Sequence, residues 1–480
     1  MSGIQRFHPA FLAVELVSFA KGIFFVYFFL FILKAQSSSS WVVWGRYILV
    51  AWTVWAIVNI LLKWISHGYE VTDRTIVIHE GIVVKTRRTA ALDRIHNQTS
   101  NTTFVHKWFG LTSLKLETGT SGNHGEVEFP VITLKEKERI LSLIGLQQRE
   151  NAQVSGDVPL EEEAIRTVHF QSNKKDLIRA SFTSLSFLAI FPLLSAAYSN
   201  LAVFFNLEDG AEGAWDYLVL HWWMLIILFI IALLLSSIIG YGRMYLKYGT
   251  FTISDDHDKI YIEKGVANVT HFSIPKRKIQ AVVVEQTILK RLVGLASVKL
   301  ISAGSSELES EETSSLYPFL PKHEAYRIIQ EMLPHYEIKE EMGRFPRNVL
   351  WAKLLRPYYV TILSIVGFII FKPSLLWISA ILFLLSLILR VLDYTFTSYI
   401  RHGELIQIRS GAITTETFVT HKRRIQQATV THSWLQRRFG IATLSFTNRA
   451  DPTHVSELYG VSNQEAGEFY DWYRQKSASS

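Results

Sequence analysis

Apolar residues in this chain gather into long blocks, separated by stretches in which apolar and polar positions alternate. A helix needs about 20 apolar residues to cross the hydrocarbon core of a bilayer. Six blocks reach or approach that length: 11–33, 42–62, 183–206, 217–240, 355–371 and 374–392. They pair into three hairpins through the short connectors Lys34–Ser40, Leu207–Asp216 and Lys372–Ser374. Trp41, Trp44, Trp64, Trp215, Trp222 and Trp223 stand near block ends, where indole rings favour the membrane interface. After each hairpin the period falls to two. Thr75–Val84, for example, alternates and then turns at a glycine, as a β-hairpin does.

The stretches after the hairpins repeat one another. Gly81, Ile95 and Gly110 are spaced as are Gly265, Ile279 and Gly294, and again as Gly411, Ile425 and Gly440. Each first glycine follows an isoleucine by three positions (Ile78, Ile262, Ile408), and each middle isoleucine follows a basic residue (Arg94, Lys278, Arg424). Each second glycine opens a similar strand: GLTSLKL, GLASVKL, GIATLSF. The first glycine is expected at positive φ. A short amphipathic turn is expected before the second, with Phe104/Trp108, Ile288/Leu292 and Leu435/Phe439 four apart on one face. A closing helix is expected at about 134–147, 322–333 and 463–476, with Thr133/Glu136 and Ser462/Glu465 as capping boxes. Several strands followed by one helix suggest a small β-sandwich or open barrel and not parallel βαβ units.

Composition narrows the class. The chain is 49% hydrophobic and only 19% charged, which together with the blocks indicates a membrane protein. It contains no cysteine, which excludes disulfides, thiolate metal sites and a cysteine nucleophile. The net charge of +7 fits basic residues collecting beside anionic headgroups better than a nucleic-acid partner. The first block carries Glu15 and Lys21 and lacks a small-residue cleavage site, so it is expected to stay as a signal-anchor. The second connector holds Glu208, Asp209, Glu212 and Asp216 without a basic residue. Lys63 and Arg74 follow the second block, and Arg344, Arg347, Lys353 and Arg356 precede or begin the fifth. The positive-inside rule therefore predicts cytoplasmic termini and soluble stretches, with only the hairpin tips outside.

Phe272–Gly304, FSIPKRKIQAVVVEQTILKRLVGLASVKLISAG, resembles the signature of the bacterial pleckstrin-homology-like (PH-like) domain, long a domain of unknown function. Three such domains, each behind a hairpin, are similar in arrangement to the YdbT-like membrane proteins of Gram-positive bacteria. The first copy departs in having Leu92-Asp93-Arg94 where the second has Pro275 to Lys278, and the third has His421 to Arg424 without a proline. The resemblance implies two near-orthogonal sheets with a C-terminal capping helix, and it implies neither an enzyme nor a transferable phosphoinositide site. It also implies a homo- or hetero-oligomer, with a smaller single-domain companion as one partner. The fold expected is six transmembrane helices in α-helical hairpins plus three PH-like sandwiches or open barrels, each capped by a helix. The segments are hairpin 1–64, domain 65–150, linker 151–178, hairpin 179–242, domain 243–338, linker 339–353, hairpin 354–392 and domain 393–480.

The candidate binding residues for acidic lipid or a partner are basic. One set is Arg87, Arg88 and Arg94, with Lys276, Arg277 and Lys278, and His421, Lys422, Arg423 and Arg424; the other precedes the second glycine, as His106-Lys107, Lys290-Arg291 and Arg437-Arg438. A basic residue beside an anionic leaflet gains about 1 kcal/mol, whereas the competing reading is ordinary solvated charge. Within the first block, Glu15 and Lys21 are ionisable residues in a costly place, about 240° apart on a helix. Pro192 is expected to kink the third block. Asp255-Asp256-His257-Asp258 reads as a turn and not a metal site, Ser305–Ser315 as an acidic loop, and the sequons at Asn97, Asn101 and Asn268 as unglycosylated. No metalloprotease, P-loop, nucleophile-elbow or dinucleotide motif is present, so no catalytic residue, metal or cofactor is assigned. The function expected is a non-enzymatic scaffold binding protein or acidic lipid, in the setting of cell-envelope homeostasis or resistance to membrane-active peptides. The alternative is a transporter or exporter using the spans, with Glu15, Lys21 and His221 as its polar groups.

Overall fold

The computed structural model describes residues 4–35, 37–82, 84–118, 126–154, 166–183, 222–302, 315–450 and 453–475. The chain divides into two compact units. The first comprises Met1–Arg166, Gln171–Ser254 and Tyr261–Ser273; the second comprises Thr167–Phe170, Asp255–Ile260 and Ile274–Ser480. The two sheets of the middle repeat thus fall in different units.

In the first unit, β1 (Gln5–Arg6), β2 (Gly68–Val71), β3 (Thr75–Glu80) and β4 (Thr86–Ala91) form an antiparallel sheet in that order. A 3-10 turn at Leu92–Arg94 leads into β5 (Ile95–Thr102), β6 (Leu111–Thr118) and β7 (Glu126–Thr133). The alternating positions account for the core. Ile76 and Ile78 from the first sheet meet Leu114, Leu116 and Phe129 from the second, together with Ile95. Ile140 and Ile144 of the helix Leu134–Val154 join the same cluster. Phe129 is fully buried, a contribution of roughly 2–3 kcal/mol for a side chain of its size. Beyond β8 (Thr167–Gln171) come β9 (Phe251–Asp255), β10 (Lys259–Lys264) and β11 (Val269–Pro275). One sheet carries the order β7-β6-β5-β11-β10-β9, so it passes from the first repeat into the second.

The second unit repeats this device. β12 (Ile279–Thr287), β13 (Leu295–Ser302) and β14 (Ser315–Pro321) belong to the middle repeat; β15 (Gly343–Arg344), β16 (Ser398–His402), β17 (Leu405–Ser410) and β18 (Thr414–His421) belong with the third. They make one sheet in the order β14-β13-β12-β18-β17-β16-β15. A final sheet, β19 (Ile425–Thr431), β20 (Ile441–Asn448) and β21 (His454–Ser462), closes the third repeat. Its core joins Ile406 and Ile408 of β17 to Leu444, Phe446 and Leu458, with Phe469 of the helix Asn463–Arg474. That helix begins with the expected capping box. Glu465 N–H donates to the Ser462 hydroxyl, and the Ser462 N–H donates to the Glu465 carboxylate. Glu136 N–H likewise donates to the Thr133 hydroxyl, at 3.2 Å.

Four helices among the described residues are long and apolar enough to cross a membrane, where the sequence predicts six. They are Ala10–Leu33, Ser40–Ser66, Arg347–Phe371 and Pro373–Phe396. Nearly all of the expected 183–206 block, with Pro192, lies outside the described residues, as do 217–221; the helix Trp222–Tyr248 occupies the rest of the fourth block. Two hairpins are closed by an arginine. Arg46 donates to the carbonyls of Leu30, Lys34 and Ala35, where Phe28–Leu33 widens into a π-turn. Arg390 donates to the carbonyls of Lys353, Leu354, Arg356 and Pro357 at 2.6–3.1 Å. Carbonyls freed at a helix end need partners wherever water is scarce. Tyr27–Thr53 (2.8 Å) and Ser364–Ser379 (2.9 Å) hydroxyl contacts join the helices of each pair.

Candidate functional site

The feature that organises both units is the seam at which one repeat's sheet continues into the next. In the first seam β5 pairs with β11, setting Thr102 opposite Val269, Asn101 opposite Thr270, Ser100 opposite His271 and Thr99 opposite Phe272. In the second, β12 pairs with β18, setting Gln286 opposite Thr415, Glu285 opposite Glu416, Val284 opposite Thr417 and Val283 opposite Phe418. Counted from the repeat glycines, these are the same four positions in the same order. Two sequences that share few side chains have adopted one register. Their chemistry differs: Ala281, Val283 and Phe418 form an apolar cluster at the second seam, while Thr, Asn and Ser dominate β5.

Beside each seam sits the expected short turn, now a helix: Phe104–Trp108, Ile288–Leu292 and Trp434–Phe439. Each starts on a hydroxyl cap (Thr103, Thr287, Ser433) that accepts a backbone N–H. Three consecutive positions then point three ways. The first faces inward. His106 contacts the Thr103 hydroxyl (2.7 Å) and the Pro130 carbonyl (3.2 Å), Lys290 donates to Ser297, and Gln436 donates to Thr443. Burial pushes the His106 imidazole and the Lys290 ammonium down, against the Pro130 carbonyl and the Glu285 carboxylate respectively.

The second position reaches the neighbouring repeat. Lys107 donates to the Val266 carbonyl at 2.6 Å, and Arg291 donates to the Ala412 carbonyl at 3.4 Å. Val266 and Ala412 each directly follow the first glycine of their own repeat, so the clamp is the same in both seams. Arg437 holds this position in the third repeat and is exposed. At the third position, Trp108 is 72% and Leu292 79% exposed, and the third repeat has Arg438 there; its exposed apolar residue is instead Trp434, the counterpart of Phe104 and Ile288, at 81%. Phe104, Phe109, Ile288 and Val293 add to this apolar surface.

These helices lie close to the spans of their own units. Phe104–Trp108 contacts Ala10–Tyr27, and Trp434–Phe439 contacts Arg347–Leu354, where Asn348 donates to the Phe439 carbonyl at 3.2 Å. The Arg291 guanidinium lies 4.0 Å over the ring of Phe396, the last residue of a span helix.

The predicted basic residues therefore take different places. Arg87 and Arg88 stand on β4, with Arg88 3.5 Å from Glu80. Arg94, Lys276–Lys278 and Lys422–Arg424 occupy equivalent 3-10 turns. Lys276 is held 2.6 Å from Asp255, Lys422 is buried over the Trp472 ring, and Arg424 donates to the Arg277 carbonyl at 2.7 Å. Arg94, Arg277, Arg423, Arg437 and Arg438 are exposed. Glu15 is half-buried and Lys21 exposed on the first helix.

The Asp255–Asp258 segment is a turn, with Asp256 accepting the N–H of Asp258 and Lys259. Asp255 itself is buried and bonded by His169 at 2.7 Å, while His169 also meets Glu331 at 2.9 Å. Among the described residues no group of histidines and carboxylates could hold a metal ion. Residues 305–314 of the acidic loop lie outside them. A cleft of about 220 Å³ in the first unit brings together Lys137, Arg166, Glu263 and His271.

Some of these roles are not visible in the sequence pattern. Lys290 looks like its basic neighbours but is the sister of His106 and Gln436, and only alignment on the second glycine reveals it. Arg46 and Arg390 are lone arginines at block edges, where the positive-inside pattern already accounts for them.

Comparison with known proteins bears on all three repeats. Residues 22–148, 191–335 and 359–477 each match the family described as bacterial PH domain. The chain is 26% identical to the UPF0699 transmembrane protein YdbT of Bacillus subtilis (strain 168), across 100% of this chain and 99% of that protein. No solved structure matches.

Proposed function

The chain belongs to the bacterial PH domain family, and from that membership we propose a non-enzymatic membrane scaffold with six spans in three hairpins, each followed by a helix-capped PH-like domain at the cytoplasmic surface. The domains dock on the bilayer through their short helices, whose exposed apolar side chains enter the headgroup layer while neighbouring bases meet acidic lipid. The setting we propose is cell-envelope homeostasis, including resistance to membrane-active peptides.

One observation carries this reading: Trp108, Leu292 and Trp434 are exposed apolar residues on equivalent short helices, set beside span ends. Indole and aliphatic groups flanked by Arg and Lys favour the headgroup region, and each base near an anionic surface adds about 1 kcal/mol. Arg94, Arg277, Arg423 and Arg438 are exposed bases of the same repeats and supply further contacts in this reading.

The test uses the absence of native cysteine. Nitroxides attached at Trp108→Cys, Leu292→Cys and Trp434→Cys in the full chain, held in phosphatidylglycerol nanodiscs, should be more accessible to oxygen than to a water-soluble nickel reagent. A label at Asp73→Cys should behave oppositely. Fully aqueous labels at all three helices would end the docking reading, and identical depths in phosphatidylcholine would remove its preference for acidic lipid.

A further inference from the structure

The two seams are made from the same parts: the leading strand of one repeat's second sheet (β5, β12) and the last strand of the next repeat's first sheet (β11, β18). Each part occurs three times and each seam uses one of each, so one of each is left over. β4 ends the first repeat's sheet, and β19 ends the third repeat's sheet. Among the described residues neither strand has a second neighbour. The leftover clamp residue, Arg437, is exposed beside β19, and Ile82, the counterpart of Val266 and Ala412, is exposed beside β4.

We propose that a second copy of this chain fills both edges: β19 of one copy pairs antiparallel with β4 of the next, in the register of the two internal seams. Transferring that register sets Thr431 opposite Thr86, Val430 opposite Arg87, Thr429 opposite Arg88 and Ala428 opposite Thr89, with Arg437 reaching the Ile82 carbonyl of the next copy.

β4 has the geometry of a seam strand. Its pairing with β3 sets Ile76 opposite Ala90, as the pairing of β17 with β18 sets Ile406 opposite Thr420, so the edge it presents has the geometry that already accepts β12. An open edge is a template for another strand, and proteins that must stay monomeric blunt it. Arg87 and Arg88 blunt β4 against indiscriminate partners, while a copy with matched register and its own clamp residue satisfies the edge. The contact joins two different surfaces, so it is heterologous and propagates head to tail, into a ring if the rotation closes and a filament if it does not.

The experiment is cross-tag disulfide trapping in the membrane, with two tagged forms of the full chain co-expressed. Thr429→Cys on one tag and Arg88→Cys on the other should form a mixed disulfide under mild oxidation. Thr429→Cys with Thr86→Cys, out of register, should give several-fold less, and Thr429→Cys alone should give none. Adding Arg437→Glu to the in-register pair should reduce the yield several-fold without changing the amount of chain in the membrane.

Equal yields in and out of register would overturn the proposal, as would no mixed disulfide from a well-inserted pair. A Thr429→Cys homodimer would mean an isologous contact, and a disulfide from Thr429→Cys to another protein alone would give the edge a different occupant; either result also overturns it.

Discussion

Gly411 and Gly440 both have positive φ, 109° and 66°, for different reasons. A Cβ on Gly411 would come 2.0 Å from the Thr414 carbonyl oxygen, and the equivalent Gly81 and Gly265 meet the same obstacle at 1.9 Å. Around Gly440 there is open space, and only the left-handed backbone asks for glycine. Gly411→Ala should therefore cost more than the roughly 1–2 kcal/mol of a left-handed residue, whereas Gly440→Asn should cost less than that. Urea midpoints of the purified full chain will separate the two.

His106 gives a second test at this scale. Its imidazole is buried and held neutral, with its pKa below the ordinary 6.5. Its contribution to stability is therefore complete above about pH 6.5 and is lost as the pH falls below that, because the unfolded chain takes up the proton first. His106→Gln, which borrows the side chain of Gln436, should flatten this part of the pH dependence between pH 7.5 and 5.5. An unchanged difference in urea midpoint between those two values would refute the assignment. The two glycines were legible from spacing alone, but the reason for each was not, because a clash with a carbonyl three residues on depends on backbone angles that a pattern of letters does not carry.

Among the elements, the strand pair of the second seam contains a mismatch. Glu285 and Glu416 face each other across β12 and β18, with Lys299 2.8 Å from Glu285. Like charges directly opposite destabilise a sheet, so Glu416→Gln should stabilise the second unit by roughly 0.2–1 kcal/mol, read as slower amide exchange in β12 and β18. The hairpins offer the opposite case. Arg390 serves four carbonyls at the bend between Lys353 and Pro357, and charged hydrogen bonds of this kind contribute about 1.5–3 kcal/mol. Arg390→Ala should lower the melting temperature in detergent, and Arg390→Lys should recover only part of it, since an ammonium lacks the planar fork.

Strand and helix positions could be read from period and glycine spacing because each repeat obeys its own local pattern. The seams could not. Pairing β5 with β11 joins Thr102 to Val269, and nothing in the alternation of either strand announces a partner so distant in sequence.

For the whole molecule, hydropathy and charge predict the side of the membrane. With no cysteine in the chain, Ser38→Cys in the first connector should react with an impermeant maleimide on intact cells, while Asp73→Cys in the first repeat should react only after lysis. Labelling of Asp73→Cys on intact cells would reverse the orientation.

The seams also set a schedule for synthesis. When β5 leaves the ribosome its partner has not been made, and residues 103–268 must be translated before β11 exists. At about 5–20 residues per second that wait is on the order of ten seconds. β12 then waits in the same way for β18, behind the helices Arg347–Phe371 and Pro373–Phe396. The first and second domains are therefore each born with an open edge, and the next one closes it. The order of synthesis is the order of closure, and β19, made last, is the one strand of its type with no later strand of its own chain, among the described residues, to close it.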